Sequence, residues 1–191
     1  MNHSILLHIA VTGKSVGVHS NERDFDYGRS GLLVTGLVLP GGQRPAMNVG
    51  ISVSRVGGSA QIPAMKQVAG GMRLDMAAFR ELEAFAQLGT DLDAATQARL
   101  DRGYRINELI KQGLCKPMHV IDQVVVIYAG THGFIDKVKT TDVLRWESDF
   151  LSYFHGSHKD LWTKLDEKRK LDDELTAELE KVLEEFNKTF V

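Results

Sequence analysis

The sequence predicts a mainly α-helical protein: a bundle of about five helices behind a lead-in of one or two β-strands. Three observations point there. Before residue 60 the chain is rich in glycine and β-branched residues, as in "GLLVTGLVL" and "NVGISVSRVGG", the composition of strands and turns. After residue 60 apolar residues recur at steps of three and four, the helical period. One segment, "VIDQVVVIYAG", is apolar nearly all round, as expected of a helix at the centre of a bundle.

The helices follow in order. Met65, Val68, Met72, Met76, Phe79, Leu82 and Phe85 mark the core face of a long first helix that tolerates Gly70 and Gly71. A second starts at the N-cap candidate Asp91, runs through Leu100 toward Ile110 and ends near Gly113 and Pro117. The apolar segment forms the third and closes at Gly130. A fourth starts from Thr141 through "VLRWESDFLSYF". The fifth, "DDELTAELEKVLEEFNKTF", carries a stripe at Leu175, Leu179, Val182 and Phe186. Three divisions result: 1–43, irregular; 44–59, strand and turn; and 60–191, helical.

Composition narrows the function classes. The 191 residues are 43% hydrophobic, enough for one sizeable core. With 23 basic against 25 acidic residues, no positive field argues for nucleic acid. The single cysteine, Cys115, forms no internal disulfide. No run approaches the roughly 18 apolar residues of a membrane span, and no secretory signal pattern opens the chain. The location expected is reducing and on the cytoplasmic side.

Several residue groups invite a chemical reading. "VTGKSVG", Val11 to Gly17, resembles the end of a phosphate-binding loop, but the glycine required five places earlier is His8. His155 and His158 lie at i and i+3 with no carboxylate or cysteine cluster at ligand spacing, so a solvated helix end is preferred to zinc. Asp91 and Asp93 fit helix capping better than acid–base work, and the methionines of the first helix fit core packing. Arg55 stands at the end of "RPAMNVGISVSRVGG", just before two glycines. Such an arginine can turn its guanidinium toward a phosphate on another molecule, although on pattern alone a surface arginine or structural ion pair is preferred.

Residues 44 to 191 closely resemble the C-terminal third of the ATP synthase alpha subunit. The runs that carry the resemblance are "RPAMNVGISVSRVGG", "AMKQVAGGMRLDMAAFRELEAFAQLGTDLDAATQARLDRG", "ELIKQG" and "QVVVIYAGTHGFIDKV". The resemblance implies that the lead-in strands are the last of an α/β nucleotide-binding domain and that the terminal helical domain follows. It implies that Arg55 is the arginine finger reaching into the neighbouring beta subunit's catalytic site, with Ser52 supporting its position. Arg44, Pro45 and Gln112 match positions near the purine of the alpha subunit's own non-catalytic nucleotide. Leu114 stands where the family has glutamine. The loop from Gly89 to Asp93 corresponds to one facing the central rotor shaft.

Residues 1 to 43 do not resemble the family. Dropping one base at the Ser15 codon lets all sixteen residues from Ser15 to Ser30 be read as VSAYIPTNVISITDGQ, the family segment expected just upstream. Beyond Ser30 the fit loosens until the normal frame resumes at Arg44. The first 43 residues are thus expected to be a frameshifted product, poorly ordered for want of a selected hydrophobic pattern, and "VTGKSVG" to be a decoy.

The function expected is that of a truncated alpha subunit of the proton-translocating ATP synthase, contributing to ATP synthesis and hydrolysis at the alpha–beta interface. The family's P-loop, magnesium-holding carboxylate and N-terminal barrel would precede residue 44, so the chain alone is not expected to be catalytic or to hold a cofactor. ATP or ADP with magnesium belongs to the intact complex. Partners are the beta subunit, in an alternating hexamer, and the central rotor shaft subunit, with no nucleic acid and only indirect membrane contact. The setting implied is the cytoplasmic face of a bacterial plasma membrane. The alternatives are a free-standing helical interaction module or fragment without nucleotide binding, and an independent P-loop enzyme, which would lose ATPase activity on Lys14→Ala.

Overall fold

In the computed structural model, residues 49–51, 55–87, 92–111 and 117–190 are described. They form seven α-helices: α1 (Arg55–Ala60), α2 (Pro63–Ala86), α3 (Ala94–Leu109), α4 (Val120–Thr131), α5 (Val143–Ser157), α6 (Lys159–Lys168) and α7 (Asp173–Thr189). Short 3-10 turns occupy Val49–Ile51 and Thr140–Asp142. The five long helices expected from the sequence are α2, α3, α4, α5 and α7.

The lead-in differs from expectation. Where one or two strands were expected within 44–59, the described residues form a 3-10 turn and α1. A strand satisfies its N–H and C=O groups only against a neighbour, and no strand lies among the described residues to provide one. Helical turns close the same groups locally. The expectations for residues 1–43 lie outside the described residues.

Helix boundaries follow from capping chemistry. Pro63 opens α2 at a position where its missing N–H costs nothing. Asp93, not the expected Asp91, caps α3: its carboxylate accepts from Ala95 N at 3.2 Å and Thr96 N at 3.3 Å. Asp91 itself lies outside the described residues. Asp172 caps α7 by accepting from Leu175 N at 3.0 Å. The stretch after Thr141 breaks in two at His158, whose φ of −126° and ψ of 35° leave the helical region. His158 N–H closes α5 onto Phe154 O, and its carbonyl accepts from Trp162 N to open α6.

At the centre lies α4, buried at every position from Val120 to Gly130. It packs against α2, α3 and α6. On α2, Met65, Val68, Met72, Met76 and Phe79 are all buried; Leu82 is half-buried, and Phe85, also expected in the core, is exposed. The predicted stripe of α7 is buried throughout. Between α5 and α7 an aromatic block forms, with Trp146 stacked on Phe150 at 5.0 Å, Phe150 on Phe154 at 5.7 Å, and Phe186 set edge-on to Trp146. Each such residue contributes about 1.5–3 kcal/mol on burial, against about 1 kcal/mol for a helix cap. Packing therefore holds these helices together, and caps set where they start.

Candidate interaction surface

The lead-in is fastened to the helical body at one point. Val49 is buried and Gly50 lies flat on α2, where a Cβ would come within 2.7 Å of the Ala77 backbone. Backbone cannot yield as a side-chain tip can, so only glycine fits. Arg55, the first residue of α1, follows five positions later. Of the other residues singled out by sequence, Ser52, Arg44, Pro45, Gln112 and Leu114 lie outside the described residues, as do Gly89 to Asp91 of the expected rotor-facing loop.

The outward side of α2 exposes two large apolar side chains, with Glu81 on the same side. Leu74 is 74% exposed and Phe85 57% exposed. With Ala78 between them at steps of four and seven, they share one side of the helix. Behind this face, burial raises the Asp75 carboxyl above its usual range, against the lowering pull of Arg102, His132 and Arg99. At the hairpin tip, Asp93 is lowered, first by the Thr96 hydroxyl that donates to it.

Polar groups tie α3, α4, the turn after α4 and α7 together. Arg102 pairs with Asp136, its Nε donating to Oδ1 at 3.0 Å. Asp136 follows Gly133, whose φ of +81° turns the chain after α4. His132 stacks on Tyr128 at 3.8 Å, and the Tyr128 hydroxyl donates to Glu180 Oε1 on α7 at 2.7 Å. Burial first, then the Glu180 contact, pushes the Tyr128 hydroxyl far above its ordinary value.

The two histidines of interest part company. His155 Nε2 meets Asp122 Oδ1 at 2.9 Å, and Trp162 Nε1 donates to that same oxygen at 2.8 Å, joining α4, α5 and α6 at one buried carboxylate. His158 Nε2 meets the Tyr153 hydroxyl at 3.0 Å. Among the described residues no group of three or more His, Cys, Asp or Glu is placed to hold a metal ion. None of the described helices is long and apolar enough to cross a membrane.

Sequence reasoning missed both the outer face of α2 and the Asp122 junction. Leu74 was legible in principle, since it falls off the methionine stripe. The junction had no signal, because its partners are 33 and 40 residues from Asp122.

One sequence-family model, ATP synthase alpha/beta chain, C terminal domain, matches residues 61–186.

Proposed function

From the premise that this protein belongs to the family of ATP synthase alpha/beta C-terminal domains, we propose that it acts as an alpha-type subunit of the proton-translocating enzyme. Membership of the family implies association with other ATP synthase subunits. The alpha assignment rests on the long runs quoted above, from "RPAMNVGISVSRVGG" to "QVVVIYAGTHGFIDKV". In this reading the helical body packs beside the beta subunit and the rotor shaft at the cytoplasmic face of a bacterial membrane.

Arg55 reaches the beta subunit's catalytic site and stabilises charge on the transferring phosphoryl group, with Ser52 behind it. The observation that carries the assignment mechanically is the Gly50 lock on Ala77. It seats Gly50, five residues before Arg55, on α2, and in this reading movement of the helical body reaches the finger through that contact. ATP or ADP with magnesium enters through the resemblance alone, because Arg44, Pro45 and Gln112 lie outside the described residues.

The test is assembly with beta and shaft subunits, then ATP hydrolysis by the wild type and Arg55→Ala. A finger contributes about 10³ to 10⁵ in rate, or roughly 4 to 7 kcal/mol of barrier. Arg55→Ala should lose activity on that scale while co-purifying normally with beta. Association with hydrolysis indifferent to Arg55 would favour the helical interaction module instead. A protein that never co-purifies with beta would sink both.

A further inference from the structure

A cavity of about 780 Å³ opens at the end of the bundle where the turn after α4, the start of α5 and the end of α7 meet. That volume lies within the range of about 300–1,000 Å³ typical of small-molecule sites. Its walls are fixed to the core through Asn187. The Asn187 amide donates to Phe134 O at 2.8 Å and accepts from Trp146 Nε1 at 2.8 Å, and Trp146 is fully buried. The cavity is therefore formed before anything enters it.

Its lining is rich in positive charge. Lys137, Lys139, Arg145 and Lys188 line it, against Asp142, Glu184 and an Asp136 already held by Arg102. Lys137, Lys139 and Lys188 form no ion pair among the described residues. Arg145 is set over the Phe190 ring at 4.9 Å, so a guanidinium plane and an aromatic plane lie together on one wall, with Phe134 also in the lining.

We infer that this cavity binds a small organic dianion bearing a flat apolar group, a phosphate monoester or a dicarboxylate. Lys137, Lys139 and Lys188, which form no ion pair among the described residues, set the charge of the ligand, and Phe134, Phe190 and the Arg145 plane accept its apolar part. The site lies outside every residue assigned to nucleotide or catalysis above, and it stands or falls independently of the proposed function.

The test titrates the full-length protein at low ionic strength, by calorimetry, with phenyl phosphate and phthalate as the two dianions. Inorganic phosphate and benzyl alcohol serve as the bare charge and the bare ring. At least one dianion should bind saturably, more tightly than either bare probe, and binding should weaken with salt because the partners are partly exposed. Phenyl phosphate alone would identify the ligand as a phosphate ester, and phthalate alone as a dicarboxylate.

The double variant Lys137→Glu, Lys188→Glu should weaken binding by about tenfold or more, and Glu184→Lys should tighten it by about threefold. No saturation by either dianion up to about 10 mM would overturn the inference. So would a folded double variant that binds like the wild type. Should the double variant fail to fold, Glu184→Lys still decides, since unchanged or weaker binding there contradicts the charge argument.

Discussion

At Gly103, one hydrogen atom sets the distance between two helices. A Cβ at this position would lie 2.1 Å from Cδ2 of Phe79, whose ring is fully buried and has nowhere to go. Two effects oppose each other in Gly103→Ala. Alanine favours the helix by about 1 kcal/mol, while overpacking a tight core costs about 1–3 kcal/mol and more where nothing can shift. At 2.1 Å the second wins. Gly103→Ala is expected to lower stability by about 2 kcal/mol or more, read from the urea midpoint at unchanged slope, and a stabilised variant would show that Phe79 can move. The methionine stripe that includes Phe79 was legible because a helical period survives in sequence. The choice of Asp93 over Asp91 as cap was not, since both residue types suit the role and only the place where α3 begins decides. The same holds for His155, whose partner is chosen by packing and not by spacing.

Between elements, the connection from α6 to α7 is clasped by a residue far away in sequence. Gln67 on α2 donates through Nε2 to Leu171 O at 2.8 Å and accepts from Leu171 N at 3.0 Å. Beside this pair, Ala64 N donates to Arg169 O at 2.9 Å. Arg169 turns the chain with a left-handed φ of 52°, and Leu171 is buried. Gln67→Ala removes both side-chain bonds at once and leaves two backbone groups beside a buried side chain without a partner. The expected loss is about 1–3 kcal/mol, with faster amide exchange at Leu171 as the local signature. Protection at Leu171 that survives the substitution would place the anchor in the Ala64–Arg169 bond instead. The five long helices could be foreseen because each carries its own apolar stripe. The break at His158 could not, for the stretch from Thr141 to Leu165 keeps apolar residues at helical steps on both sides of it. Among the described residues of 44–59, a 3-10 turn and α1 stand where strand was expected, for the opposite reason: β-branched composition suits a sheet, but strand formation needs a partner that no local pattern can supply.

Across the whole molecule, 23 basic against 25 acidic residues give no positive field, and among the described residues the two most exposed large apolar side chains both lie on α2. Leu74 and Phe85 are large, exposed and on the same side of a helix, with Ala78 and the carboxylate of Glu81 between them. Exposed apolar side chains can mark surfaces that meet another protein, and family membership implies association with other ATP synthase subunits. If α2 is the docking face, Leu74→Lys and Phe85→Lys should each weaken association with those subunits, by about 10- to 150-fold on the scale of one buried side chain. Helix content and melting temperature should stay near wild type, because neither side chain is buried in the isolated protein. Leu144→Lys gives the comparison, since Leu144 is also exposed, at 47%, but lies on α5. Equal weakening by all three variants would mean that association responds to surface charge in general, and the α2 face would lose its special standing. Weakening confined to Leu74 and Phe85 would join the Gly50 lock, the helical body and the neighbouring subunit into one mechanical path, because all three then meet on the same helix that carries Ala77.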